Sequence, residues 1–260
     1  MRSSVAAAAL ALLATATHAG SLPAALWPAP RSATCTGGAG GSIASEVRIS
    51  LAGAGATSDV ATTATARYLP LFAKHAVAGG SVRELAVTVA SSDETLGQDT
   101  DYSYSIKLGD GMQPVIAAAS PFGVAYALET LSQFIEESTG KLHCAQISVA
   151  DAPTFLHRGI MIDTGRRFYP VPLVLMTIEG MAMTKQNVLH FHLSEECFRV
   201  HSATYPQLTA SCVEGANNNT AAYSREDIAT IVEYARLRGV RVLPEFDMVR
   251  SACASPFPLW

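Results

Sequence analysis

The sequence predicts two units in series: a small α+β N-terminal domain, then the first part of an α/β (β/α)8 TIM barrel, incomplete at its end. Three observations predict this. From Phe155 to Asp247 short apolar runs alternate with amphipathic helical patterns, which implies βα units on a parallel sheet. The apolar runs end in groups that can do chemistry: Asp163, then His190, His192 and Glu195, then Glu245 and Asp247. The carboxyl ends of parallel strands are where such a barrel builds its active site. Before Asp151 strands and helices do not strictly alternate, so that stretch reads as a separate α+β unit.

The elements follow in order. Met1-Arg2, the apolar run Val5 to Ala14 and the small-residue site Thr17-His18-Ala19 make residues 1–19 a secretory signal peptide, left out of the fold. Residues 20–150 form the small domain. Leu26-Trp27-Pro28 is followed by a Gly/Ser/Ala stretch through Gly41, and Ile43 to Leu51 alternates as a strand. Ser58 to His75 is helical, capped by Ser58, with Val60, Tyr68, Leu69 and Phe72 facing a sheet and Pro70 kinking it. Val82 to Ala90, Tyr102 to Leu108 and Met112 to Ala119 are strands. Pro121 to Glu136 is a helix with Val124, Ala127, Leu128, Leu131 and Ile135 at core spacing. Asp151-Ala152-Pro153 marks the boundary.

Residues 151–247 open the barrel. Arg158 to Asp163 is its first strand. Val171 to Lys185 is a helix with Val174, Leu175, Ile178, Met181 and Ala182 on one face, and Asn187 to Leu193 is the second strand. Ser224 to Arg238 is a helix with Ser224 as N-cap, Asp227 in a capping-box position and a stripe of Ile228, Ile231, Val232 and Ala235. Gly239 ends it, and Val240 to Asp247 is the third strand. Residues 248–260 carry no helical pattern and read as a divergent tail.

A chain that is 49% hydrophobic and 15% charged, with net charge −4, is globular and lacks the basic excess of a nucleic-acid binder. No stretch beyond the N-terminus is long and apolar enough to span a bilayer. Among the five cysteines, Cys197 and Cys212 flank a loop they could close, and connectivity stays open. Asn218-Asn219-Thr220 is an N-glycosylation acceptor in a polar loop.

His190 and His192 share one strand face because side chains repeat every two residues. With Glu195 they could hold a metal; the competing reading is that they hydrogen-bond inside the barrel, and no metal or other cofactor is expected. Asp93-Glu94 reads as a solvated turn, whereas Glu195-Glu196 and Glu245-x-Asp247 sit at strand ends. Arg158 offers a rigid fork of donors that suits vicinal hydroxyls or a carboxylate; the alternative is a structural salt bridge with Asp163 or Asp247.

At these residues the chain resembles the β-N-acetylhexosaminidases of glycoside hydrolase family 20. The resemblance rests on Leu26-Trp27-Pro28, on Gly123 to Gln133, on His157 to Arg166, on Asn187 to Leu193 and on Tyr234 to Asp247. It implies removal of terminal β-linked N-acetylglucosamine or N-acetylgalactosamine by substrate-assisted, retaining catalysis, outside the two-carboxylate scheme. The substrate's acetamido oxygen attacks the anomeric carbon, a Glu protonates the leaving oxygen, and the Asp before it orients the acetamido group. By the same resemblance Arg158 binds the ring hydroxyls, and Asp163, His190, His192, Glu195, Glu245 and Asp247 form a supporting polar site. The partners implied are N-acetylhexosamine-terminated glycans, with a homodimer of the full-length parent left open. The compartment implied is the secretory pathway, ending outside the cell or in a lysosome or vacuole.

Three departures accompany the resemblance. The family's Asp-Glu pair follows a later strand than any present here, so no catalytic residue is assigned in this chain and the chain alone is expected to be inactive. Glu195-Glu196 replaces an aspartate pair, a side-chain extension of roughly 1.5 Å. Val249-Arg250-Ser251 stands where the family has Pro-Gly-His, which reads as an out-of-frame tail. Two rivals are a non-catalytic glycan-binding isoform or pseudoenzyme, and a metal-dependent hydrolase built on His190 and His192.

Overall fold

The computed structural model describes residues 26–109, 111–195, 197–210 and 222–247. The signal segment, Glu196, Cys212, Asn218, Cys253 and residues 248–260 lie outside the described residues, so the expectations placed on them are not addressed by the fold.

The small domain is a six-stranded sheet with two helices. Its strands are β1 (Ser32–Thr36), β2 (Ile43–Ala52), β3 (Val82–Val89), β4 (Tyr104–Leu108), β5 (Val115–Ala118) and β6 (Gln146–Asp151), in the order β1-β6-β4-β5-β3-β2. β2, β3 and β5 run parallel, and the other pairings are antiparallel. Alternation along β3 buries Val82, Leu85, Val87 and Val89. They share a core with Val60, Tyr68 and Phe72 from α1 (Asp59–Lys74) and with most of α2 (Pro121–Ser132). Ser58 caps α1 by accepting from the Ala61 N–H, as expected, and Pro70 lies within the helix.

β1 and β6 escape the sequence reading. β1 is an edge strand of small residues that buries only Cys35, so it has almost no apolar alternation to betray it. A disulfide between Cys35 and Cys144 closes this edge onto the segment entering β6. Glu94, expected in a solvated turn, bonds Arg236 at 2.5 Å, while Asp93 accepts from the Thr95 N–H.

The second unit is a three-stranded parallel sheet: β7 (Gly159–Asp163), β8 (Val188–His192) and β9 (Arg241–Glu245). α3 (Val171–Met183) joins β7 to β8; the short α4 (Gln207–Ala210) and then α5 (Arg225–Arg236) lie between β8 and β9. Ser224 and Asp227 close a reciprocal capping box on α5. Ile160, Ile162, Leu189, Phe191 and Val242 turn to the helices, against Val174, Ile178 and Met181 of α3 and Ile231 and Ala235 of α5. Val232, expected in the buried stripe, is 45% exposed instead, while Ile228, Ile231, Tyr234 and Ala235 make the contact. Met161, His190 and Leu243 are register partners on the opposite face. That face is open: Met161 is 53% exposed. The architecture is thus an α+β domain followed by part of a barrel whose sheet is not closed.

The two units are joined by polar contacts at the amino ends of β7 and β8. Lys185 stands in the left-handed region at φ 57° just after α3 and is 5% exposed. Its ammonium donates to Tyr104 Oη (2.7 Å), Thr130 Oγ1 (2.8 Å) and Asp151 Oδ2 (3.0 Å), all in the small domain. Its carbonyl accepts from Tyr126 Oη and Arg158 Nε. Farther out, Glu179 of α3 is shared by Arg67 of α1, Tyr234 of α5 and Arg238.

Candidate active site

The carboxyl ends of the three strands bring Asp163, His192 and Glu245 into one row, because they are register partners across β7, β8 and β9. Asp163 lies 3.3 Å from Nδ1 of the buried His192. One row lower, His190 Nε2 meets Glu245 Oε2 at 2.5 Å. The two histidines do share a face, as period two requires, but each is engaged by a different carboxylate.

The loop after β7 supplies a cation, Arg166. The Arg166 N–H donates to Asp163 Oδ1 at 3.0 Å, and its guanidinium pairs with Asp163 and, at 2.9 Å, with Glu195 Oε1. Its side chain is 48% exposed, so a solute can reach it. Partial burial pushes the Asp163 carboxyl up, but bonds from the Arg166 backbone and guanidinium outweigh this and hold it below the usual carboxylate range. Thr164 pins the loop: its N–H and its hydroxyl both donate to the His192 carbonyl, at 2.9 and 2.8 Å. Gly165 lets the loop press against the exit of β8, since a Cβ there would come within 2.6 Å of the Glu195 nitrogen.

Donor atoms of His192, Glu195 and Asp247 fall within 4.8 Å of one another. This trio differs from the pair of histidines that the metal reading required, and the Arg166 guanidinium already sits against Glu195.

Arg158 requires a correction. It stands just before β7, at the opposite end of the strand from Asp163. Its guanidinium donates to the carbonyls of Lys185 (2.8 Å) and Phe155 (2.6 Å) and to Tyr126 Oη (2.9 Å), and it stacks over the Tyr102 ring at 5.2 Å. Neither the expected reach to the barrel mouth nor a salt bridge with Asp163 or Asp247 fits this placement, because these donors are committed to the small domain and to the loops beneath the sheet. The residue overlooked is Arg166. Its place three residues beyond Asp163, on the carboxyl side of the strand, was the available signal.

Two family descriptions match the chain over these elements: glycosyl hydrolase family 20, catalytic domain, over residues 155–252, and beta-acetyl hexosaminidase like, over residues 26–134. The chain belongs to glycosyl hydrolase family 20. Beta-hexosaminidase subunit beta of Mus musculus is 39% identical over 166 residues, which are 63% of this chain and 30% of that protein. Beta-hexosaminidase subunit A1 of Dictyostelium discoideum is 36% identical over 173 residues, 65% of this chain and 32% of that protein. The family 20 chain therefore spans about a third of these relatives. The solved chitobiase of Flavobacterium johnsoniae superposes with a TM-score of 0.72 at 26% identity, covering 85% of this chain and 34% of that one. A family 20 beta-N-acetylglucosaminidase gives a TM-score of 0.68 at 28% identity, with 87% and 43% covered.

Proposed function

We propose that these residues belong to a glycoside hydrolase that removes terminal β-linked N-acetylglucosamine or N-acetylgalactosamine from glycans, by substrate-assisted, retaining catalysis. The observation that carries the reading is Arg166: a half-exposed guanidinium, braced by Asp163 and Glu195, at the carboxyl ends of the strands of a family 20 barrel segment. A planar fork of donors suits a pair of ring hydroxyls. The grip expected of Arg158 passes to Arg166, while Asp163, His192 and Glu195 fix the fork. On this reading His190 and Glu245 line the barrel interior below the sugar. On this reading the general acid is assigned to none of the described residues, and the 260-residue chain is expected to be inactive by itself. Entry into the secretory pathway rests on residues 1–19. Among the described residues no helix is long and apolar enough to cross a membrane.

The test is release of p-nitrophenol from its N-acetyl-β-glucosaminide, with the β-glucoside as control. The native gene product is expected to cleave the first and not the second, and the 260-residue chain neither. No cleavage by the native gene product sinks the reading; cleavage by the 260-residue chain sinks the location of the acid. Saturable binding of N-acetylglucosamine by a native gene product that never turns over would favour a glycan-binding protein instead.

A further inference from the structure

The fully buried side chain of greatest volume in the described residues is charged. Arg199 is 2% exposed and lies beneath the loop that carries Arg166. Its Nε donates to the Thr164 carbonyl at 2.9 Å, and its guanidinium lies over the Phe168 ring at 5.9 Å. Its own backbone is held on both sides, by a bond to the Leu193 carbonyl (2.9 Å) and by the Tyr223 N–H (2.7 Å). Tyr223 in turn packs at a tilt against Phe168 and Phe191, with centroids 4.8 and 5.3 Å apart, and donates to the Tyr169 carbonyl. Arg199 is therefore anchored just after β8 and to the chain entering α5, and its Nε reaches from there to the loop after β7.

Burying a guanidinium is costly, and an apolar residue of like volume often serves stability equally well. What an apolar residue cannot do is hold a carbonyl in a fixed direction. The carbonyl that Arg199 holds belongs to Thr164, whose N–H and hydroxyl are both on the His192 carbonyl. Thr164 is thus fixed on both sides of its plane, two residues before Arg166.

We propose that Arg199 is a positioning residue: through the Thr164 carbonyl it sets the loop from Thr164 to Phe168 and so the placement of the Arg166 guanidinium. This rests on the reading of Arg166 as the group that grips the sugar. Displacement of such a group by about 1 Å costs on the order of a hundredfold in rate, and partial release of the loop is expected to cost about tenfold.

The test is a double-mutant cycle on kcat/KM of the native gene product with p-nitrophenyl N-acetyl-β-glucosaminide. Arg199→Met is expected to lower the melting temperature by a few degrees without preventing folding, since its stem refills the site but leaves the Thr164 carbonyl without that donor, and to lower kcat/KM about tenfold. In an Arg166→Ala background the same change is expected to cost less than about twofold, because the group it positions is gone. Equal losses in both backgrounds overturn the proposal, as does full activity of Arg199→Met. Should Arg199→Met not fold, Arg199→Lys keeps the charge without the planar fork and is put through the same cycle, with the same two outcomes deciding. An Arg166→Ala variant of unchanged kcat/KM overturns the sugar-gripping reading first, and the proposal with it. Loss in Arg166→Ala with an additive Arg199 overturns the proposal alone.

Discussion

The two ends of the same barrel sheet each carry an arginine and use it in opposite ways. At the amino ends Arg158, Lys185 and Asn187 bond mostly to carbonyls, amides and hydroxyls, several of them in the neighbouring domain, and Lys185 and Asn187 are almost wholly buried. At the carboxyl ends Arg166, His190 and Glu245 are each between 42% and 48% exposed and are set against carboxylates or a histidine. A donor held by buried backbone carbonyls can be exchanged only by unfolding what surrounds it. A donor that is itself half-exposed, as Arg166 is, can turn to a ligand. The first arrangement assembles the domains, and the second leaves a site open.

The sharpest way to break this comparison is at the amino end. Lys185→Met leaves Asp151 without its cation and takes the ammonium donor from Tyr104 and Thr130. Removing one partner of a buried ion pair costs about 3–5 kcal/mol, so the variant is expected to lose most of its thermal stability. Denaturant titration of wild type and variant measures it. A loss below about 1 kcal/mol, the range of exposed ion pairs, would mean that the buried cluster does not join the domains.

Arg158→Met is the next largest. The guanidinium loses hydrogen bonds to two carbonyls and a tyrosine hydroxyl. Hydrogen bonds to charged groups contribute about 1.5–3 kcal/mol, so a stability loss of that order is expected, with KM of the native gene product unchanged. A raised KM with unchanged stability would return the sugar-gripping role to Arg158 and erase the distinction between the two ends.

Much of this was legible in the sequence, and the failures share a cause. The α1 and α5 starts, the three barrel strands and the meeting of Asp163 with His192 at the strand ends follow from periodicity and capping, which are local. Arg158 and Arg166 stand eight positions apart on either side of a five-residue strand, and both look like free cations in the sequence. Only strand direction tells them apart, and that rule was at hand. Arg199 gave no such signal: it lies between Phe198 and Val200 in a stretch with no helix or strand pattern, and its burial depends on Phe168, brought against it by a distant loop. β1 stayed hidden because a disulfide holds it where apolar alternation would otherwise be needed.

Acid gives the smallest and most graded effect. Asp151 and Glu179 link the domains through Lys185 and Arg67, and Glu179 also pairs with Arg238 of its own unit. Burial pushes both carboxyls up, but the charges and hydrogen bonds of these cations outweigh it, so both are held below the usual carboxylate range. A depressed carboxylate contributes stability that is fully present above its unfolded pKa, about 4, and is lost as pH falls through the folded value. The melting temperature is therefore expected to stay level from about pH 7 to 5 and to fall below about pH 4. Asp163 is depressed as well, at the other end of the sheet, so the acid loss of wild type mixes both ends. The Asp151→Asn variant separates them: it removes one contribution from the amino end, so its stability at neutral pH falls while its slope below pH 4 becomes shallower than wild type. An unchanged slope would show that acid acts on the chain elsewhere, and that the Asp151–Lys185 pair is no part of what acid undoes.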